Sequence, residues 1–505
     1  MMRSKLVTSL LAGPPDEKAA LCSDTETLSR KALLEKMALF ASRMQRLGLK
    51  KGDRVALYLS KTPTTVALQL ACLVNGLVVV PLDIRLPALR IQAQLRQCSP
   101  ALVAVASEQL EALSAISDLP KFVVDTTPET PKPMPLAVYH SIQENDPAVI
   151  LMSSGSSGRP KAITLSHGNI FAFVDWAIRF FGLSADDRFL SIAPLHFDLS
   201  LFDVILSQVL GASVYLLREQ QTLFPAEILK CLQQEQITAV YAVPTQYQML
   251  TARPGPVLPA LRHALFAGEV LPRSLAQLVG RMAPNAMLAN LYGPTETNVV
   301  SCHRISAADL DEPNGDVPIG RPCDHSAVYI CDSAGEPLAP EVEGEICVVG
   351  PTVMQGYHAA PEMTERARLP GAADSYRTGD FGWFDKDGVL HFIGRRDQRV
   401  KLRGVLVDLG EVEMVASQHP DVSQAVAEVQ FSGTFRATIK LHLQIGPDRQ
   451  LSDPTLVPHM IRQQLPAVAV PSEIETWDFF PTMSNGKLDR QHILASSRKT
   501  RETGE

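Results

Sequence analysis

The chain has 505 residues, 46% hydrophobic and 20% charged, enough apolar material for several packed domains and without the bias of a disordered protein. A net charge of −7 argues against a nucleic-acid partner, because binding a phosphate backbone needs a basic surface. Eight scattered cysteines without a Cys-x-x-Cys pair suggest neither a zinc site nor a disulfide framework, and fit a reducing cytoplasm.

Near the start, Leu6 to Gly13 follows two basic residues and mimics a short signal peptide. It is brief, lacks an Ala-x-Ala site and runs into Pro14-Pro15-Asp16-Glu17-Lys18, so an amphipathic helix is expected. Thr27 to Leu47 carries apolar residues at helical spacing, and Gly48 to Asp53 turns the chain into the strand Arg54 to Leu59. A helix to Asn75, a buried strand Leu77 to Leu82, a helix Pro87 to Gln97, a strand Ala101 to Ala106, a helix Glu108 to Ile116 and a strand Lys121 to Val124 follow. The apolar run Val66 to Leu82 is broken by Gln69, Asn75 and Pro81 and falls short of a membrane span, so no membrane partner is expected. Strands alternating with helices predict an α/β fold with a parallel sheet flanked on both faces.

Pro128, Pro131, Pro133 and Pro135 mark a linker. Behind it the apolar run Ala148 to Leu151 enters Met152-Ser153-Ser154-Gly155-Ser156-Ser157-Gly158-Arg159-Pro160-Lys161, and Ala162 to Leu165 resumes the strand pattern. Glycine leaves room for a ligand beside the backbone, hydroxyls and amides donate, and lysine supplies charge, so this loop is a candidate phosphate cradle; the competing reading is a solvated turn. It is neither a Walker loop, since no Lys-Ser or Lys-Thr opens a helix, nor a Gly-x-Ser-x-Gly nucleophile elbow.

A helix from Asn169 and strands at Arg188 to Ile192, Ser213 to Leu217 and Ala239 to Pro244 continue the alternation. From Ala327 short segments, Ala327 to Ile330, Gly344 to Val349 and Val389 to Ile393, predict a barrel-like β subdomain. Beyond Gly394 to Arg399, a helix Gly410 to Gln418, strands Val422 to Val429 and Ala437 to Leu443 and a helix Asp453 to Leu465 predict a small α+β domain of about a hundred residues. The expected division is a large domain over 1–396 and a mobile C-terminal domain over 397–505.

Four more stretches complete a pattern: Asn290-Leu291-Tyr292-Gly293-Pro294-Thr295-Glu296-Thr297, Tyr376-Arg377-Thr378-Gly379-Asp380, Gly394-Arg395-Arg396-Asp397 and Asn485-Gly486-Lys487-Leu488-Asp489-Arg490. With the Ser/Gly loop, their order along essentially the whole chain resembles the adenylate-forming superfamily of acyl-CoA synthetases, luciferases and nonribosomal-peptide adenylation domains. Activating a carboxylate builds negative charge on the ATP α-phosphorus and on departing pyrophosphate. Such chemistry needs phosphate donors, a metal-holding carboxylate, an adenosine site and a cation on the transition state.

The resemblance implies ATP and Mg2+ as cofactors, with Ser153, Ser154, Gly155, Ser156, Ser157, Gly158 and Lys161 about the phosphates. It implies that Tyr292 stacks on adenine, Asn290 bonds its amino edge, Thr295 touches the α-phosphate and Glu296 holds Mg2+. Asp380 would accept from the ribose hydroxyls, Arg395 would meet the ribose or phosphate side, Asp397 would be the hinge, and Lys487 would bridge carboxylate and phosphate during adenylation. The residue-level alternatives are a capping or turn acid for Glu296, a tight turn at Thr378-Gly379-Asp380 and a solvated loop lysine for Lys487. The sequence departs from the family in its serine-rich loop, and in Ala162 where Pro-Lys-Gly is usual.

Pro194-Leu195-His196-Phe197-Asp198 bears on the substrate: an aspartate in an apolar setting needs a cationic partner, unless Asp198 simply caps the following helix. In the amino-acid-activating relatives the matching aspartate binds the substrate's α-ammonium. The pocket carried over residue by residue is Asp198, Leu199, Phe202, Tyr241, Leu265, Ala267, Leu291, Val299 and Val300, closed by Lys487. That set resembles the pocket of stand-alone enzymes that load L-proline onto a carrier protein. Because no carrier segment follows Arg490, a separate phosphopantetheinylated carrier protein is the expected partner, with an acyl- or aryl-CoA synthetase, or a catalytically silent scaffold, as the alternatives.

Overall fold

The apolar runs assemble into two large sheets. The computed structural model describes residues 3–86, 88–125, 141–153, 161–312, 315–395, 399–402, 405–432, 436–446, 451–453, 455–465, 467–483 and 486–502. They form an α/β fold in two compact units, Met1–Tyr329 with Cys347–Thr378, and Ile330–Ile346 with Gly379–Glu505. The proline-rich linker lies outside the described residues.

The nine-stranded sheet has the spatial order Arg321–Pro322, Ser301–Arg304, Met287–Tyr292, His263–Ala267, Ala239–Ala242, Arg188–Ser191, Ser213–Leu216, Ala19–Cys22 and Thr27–Ser29. Its inner strands are parallel, with antiparallel strands at both ends. On one face Val240, Ala242, Ala264, Phe266 and Leu288 pack with Ile228, Leu232, Tyr247, Leu250, Leu275 and Val279 from the helices Pro225–Gln234, Pro244–Thr251 and Arg273–Met282. Side chains alternate along a strand, so Tyr241, Leu265, Ala267 and Leu291 face the other way. The seven-stranded sheet runs Gly356–Tyr357, Lys161–Ser166, Pro147–Ser153, Val78–Pro81, Arg54–Tyr58, Leu102–Val105 and Lys121–Val123.

A four-stranded sheet follows the order Ala327–Cys331, Gly344–Val349, Ser375–Phe384 and Leu390–Arg395. The C-terminal part holds a hairpin, Arg399–Leu402 with Val405–Asp408, and a sheet of Gln424–Ser432, Arg436–Gln444 and Glu473–Trp477. Val412 and Val415 of the helix Leu409–Ala416 and Val457 and Ile461 of the helix Leu456–Gln464 pack on Leu441 and Leu443.

Several elements differ from expectation. The helix expected from Thr27 begins at Arg30, because Ser29 Oγ accepts from the Ala32 amide at 3.2 Å and caps it, while Thr27–Ser29 pairs with Ala19–Cys22. Thr378-Gly379-Asp380 is not an isolated tight turn: it lies inside the strand Ser375–Phe384, with Gly379 at a φ of +70°. The strand Glu473–Trp477 and the helix Arg490–Glu502 are too polar to announce themselves, and the strands of the hairpin are only four residues each. The N-terminal helix Lys5–Leu10 is as expected, with Leu6, Val7 and Leu10 buried.

Candidate active site

In the nine-stranded sheet, Arg188–Ser191 lies between Ala239–Ala242 and Ser213–Leu216, and the chain order reverses there. Loops leaving the carboxyl ends of parallel strands at such a point flank a crevice suited to ligands. Asp198 lies on the loop after Arg188–Ser191, Tyr241 and Ala267 stand near the carboxyl ends of their strands, and Tyr292 ends the strand Met287–Tyr292.

The turn after Tyr292 is held by Thr297 N–H donating to Pro294 O at 2.9 Å and by Val300 N–H donating to Tyr292 O at 2.8 Å. A Cβ on Gly293 would lie 1.7 Å from the Asn298 carbonyl oxygen, so only glycine fits. The turn leaves Thr295 half-buried and Glu296 8% exposed. The Tyr357 hydroxyl donates to Glu296 Oε1 at 2.9 Å and lies 3.2 Å from the Tyr376 hydroxyl. Burial first, then the Glu296 charge, pushes the Tyr376 hydroxyl far above the usual tyrosine range, so it stays protonated.

Lys161 belongs to the same cluster. Ser153 pairs with Lys161 where the two strands open into the Ser/Gly loop, and Gly356–Tyr357 adds antiparallel to Lys161–Ser166. The Lys161 ammonium is thereby 5.3 Å from the centre of the Tyr357 ring. Ser154, Gly155, Ser156, Ser157 and Gly158 lie outside the described residues, as does the Ser153 side chain. Nothing in the sequence singles out Tyr357, and Tyr376 stood out only as part of a motif.

Asn290 is buried, and its Nδ2 donates to Val317 O at 3.2 Å and to Pro318 O at 3.0 Å. Both amide hydrogens are thus committed to the protein, and Oδ1 remains as acceptor.

Leu199, Phe202, Tyr241, Leu265, Ala267, Leu291, Val299 and Val300 are all buried. The Phe202 and Tyr241 rings are 4.9 Å apart. Burial, followed by the charges of Asp198 and Asp203, raises the Tyr241 hydroxyl well above its ordinary range, so it stays protonated. The next helical segment, Leu201–Leu206, is a π-helix whose N-cap position is held by Ser200, two residues after Asp198.

In the second unit Asp380 is 7% exposed and stands opposite Arg395 in antiparallel register; the Arg395 side chain and Asp397 lie outside the described residues. The Gly379 amide donates to Glu345 Oε1 at 3.0 Å. Lys487 closes a turn in which Met483 N–H donates to Lys487 O at 2.6 Å and Gly486 has a φ of +81°. Three residues on, Arg490 Nη1 donates to Glu413 Oε1 at 2.7 Å, with a second contact from Nη2 to Oε2, and the Ala427 amide donates to the same carboxylate at 2.8 Å. That fork fixes the chain just beyond Lys487.

The fold and these motifs define an adenylate-forming enzyme: the profile of the AMP-binding enzyme family matches residues 10–358, and the chain belongs to that family, whose chemistry is adenylation of a carboxylate. An L-proline–(L-prolyl-carrier protein) ligase of Pseudomonas fluorescens is 33% identical over 97% of this chain and 98% of its own length. The enzyme of the same name from Streptomyces coelicolor is 33% identical over 90% of this chain and 89% of its own. Among solved structures, a holo four-domain nonribosomal peptide synthetase bound to AMP and glycine matches with a TM-score of 0.83 and 26% identity, over 96% of this chain and 36% of that one. Among the described residues no helix is long and apolar enough to cross a membrane.

Proposed function

We propose that the chain activates an amino acid, with L-proline as the favoured substrate, to aminoacyl-AMP and passes it to the phosphopantetheine thiol of a separate carrier protein. The observation that carries this reading is the half-buried acid Asp198 on the loop at the carboxyl end of the strand Arg188–Ser191, next in sequence to the buried Leu199 and followed by the buried Phe202, whose ring lies against Tyr241. A carboxylate there favours a cationic partner, and a substrate α-ammonium supplies one. The secondary ammonium of proline still has two hydrogens to donate. Leu199, Phe202, Leu265, Ala267, Leu291, Val299 and Val300 offer nothing to a charged or amide side chain, which favours a compact apolar one. The two proline-ligase relatives that match nearly end to end support the same substrate and acceptor.

In this mechanism a substrate carboxylate oxygen attacks the α-phosphorus of ATP, the bond to the pyrophosphate oxygen breaks, and that oxygen keeps the electron pair. Lys487 bridges the attacking carboxylate and the α-phosphate, and Thr295 donates to the same phosphate. Ser153 to Gly158 and Lys161 surround the β- and γ-phosphates. Tyr292 stacks on adenine, Asn290 Oδ1 accepts from its amino group, Asp380 takes the ribose hydroxyls, and Arg395 faces the ribose or phosphate. Glu296 is buried with the Tyr357 hydroxyl on Oε1, and one carboxylate together with phosphate oxygens is a usual donor set for Mg2+. Glu296 would hold Mg2+, which would neutralise charge on the phosphates. Residues 397–505, turning about Asp397, then withdraw Lys487. The carrier thiol, losing its proton, attacks the acyl carbon and AMP departs with the bonding pair.

Amino-acid-dependent exchange of pyrophosphate into ATP, run across the common amino acids, tests activation. L-proline should give the fastest exchange, and exchange with none of them overturns the reading. Intact mass of a phosphopantetheinylated carrier protein tests the acceptor, and a preference for free CoA would instead favour an acyl- or aryl-CoA synthetase.

A further inference from the structure

Lys61 is 3% exposed, on the segment between the strand Arg54–Tyr58 and the helix Pro63–Val74. Its ammonium donates to three consecutive carbonyls, Ser191 O at 2.8 Å, Ile192 O at 3.1 Å and Ala193 O at 2.9 Å. An ammonium has three hydrogens to give, and these contacts use them all. The carbonyls sit where the strand Arg188–Ser191 ends: Ser191 O still accepts from the Leu217 amide at 3.2 Å, and Ile192 and Ala193 lie beyond the strand. They also begin the loop that carries Asp198 and Leu199 and leads to Phe202.

At the loop's other end, Asp203 is fully buried in the π-helix Leu201–Leu206, within the influence of the Ser191 hydroxyl and the Lys61 ammonium. Burial drives Lys61 down to about 8, and the charge of Asp203 is the largest influence holding it up. Burial drives Asp203 upward while Lys61 pulls it back. One buried ammonium therefore fastens the start of the loop and faces the charge at its end, and it comes from a segment that belongs to the other large sheet.

We infer that Lys61 is a positioning residue for amino-acid recognition, fixing the Pro194 to Phe202 loop so that Asp198 meets the substrate ammonium. An apolar residue in its place would leave the Ile192 and Ala193 carbonyls without their donor, Ser191 O with the Leu217 amide alone, and Asp203 without its lysine countercharge, and the loop would shift to water or to other donors. The inference rests on the proposed role of Asp198.

The test varies amino acid and ATP separately in pyrophosphate exchange by the full chain carrying Lys61→Met, with Asp198→Asn as the reference variant. Lys61→Met should raise the KM for L-proline by about tenfold or more, leave the KM for ATP within about twofold, and narrow the preference for proline over other small apolar amino acids. If Lys61→Met does not fold, Lys61→Met with Asp203→Leu removes both buried charges together, and the same split between the two KM values is expected of it. An unchanged proline KM in the folded variant, or equal rises for proline and ATP, overturns the positioning role while leaving Asp198 in place. An unchanged proline KM in Asp198→Asn overturns the reading of Asp198, and the positioning role with it.

Discussion

The Tyr357 hydroxyl donates to Glu296 Oε1 at 2.9 Å while the Lys161 ammonium sits 5.3 Å from the centre of the same ring. The short strand Gly356–Tyr357 thus joins the lysine that closes the Ser/Gly loop to the acid proposed to hold the metal. A hydrogen bond to a charged group contributes about 1.5–3 kcal/mol, so Tyr357→Phe should loosen Glu296 without unfolding the chain. The Mg2+ concentration for half-maximal exchange should rise by about tenfold, with the amino-acid KM little changed. An unaltered Mg2+ titration would show that Tyr357 does not orient this carboxylate.

Gly293→Ala asks for space that is not there, since the new Cβ would fall 1.7 Å from the Asn298 carbonyl oxygen. Backbone must move to relieve that overlap, and the turn presenting Thr295 and Glu296 moves with it. We expect a loss of about 3 kcal/mol and a lower Tm, together with loss of exchange activity. A variant that melts with the parent would contradict the turn geometry.

The sequence made the family and the α/β class legible, because order along the chain is itself the signal. Buried strands such as Ala239–Ala242 announced themselves as apolar runs. Ser375–Phe384 did not: burial alternates along it, but after Tyr376 the buried positions are Thr378, Asp380 and Gly382, polar or small, so no apolar alternation shows in the sequence. Tyr357 was hidden for another reason. It meets Glu296 across 61 positions through strand pairing, just as Lys61 meets Ser191 across 130. No local pattern encodes contacts of that range. Asp198 stood out because an acid in an apolar stretch is chemically costly, whereas a buried lysine spent on carbonyls leaves no such mark.

His167 is fully buried, and neither ring nitrogen has a hydrogen-bond partner among the described residues. Burial lowers its pKa from the ordinary 6.5 to about 4, with Asp146 opposing and Lys51 adding to the shift. The unfolded chain therefore binds the proton first as pH falls, so stability is full above pH 6.5 and declines towards pH 4. A shift of this size corresponds to about 3 kcal/mol. Urea unfolding across that window should show a shallower pH slope for His167→Leu than for the parent; equal slopes would mean that His167 is not the group titrating.

Lys487 stands on a turn anchored by the Arg490 and Glu413 fork, so removing its ammonium should leave the fold intact. Lys487→Ala should slow adenylation by about 100- to 1000-fold, the usual effect of losing one preorganised donor to transition-state charge, with little change in Tm. Undiminished adenylation would remove Lys487 from the mechanism.

The central claim is that Asp198 selects an amino acid and that L-proline fits best. Pyrophosphate exchange with L-proline as the varied substrate, in the parent and in Asp198→Ala, tests it most directly. Saturable proline-dependent exchange in the parent, reduced by about 100-fold in Asp198→Ala, is the predicted result. Exchange driven by a carboxylic acid without an amine, or equal exchange in both proteins, would contradict it.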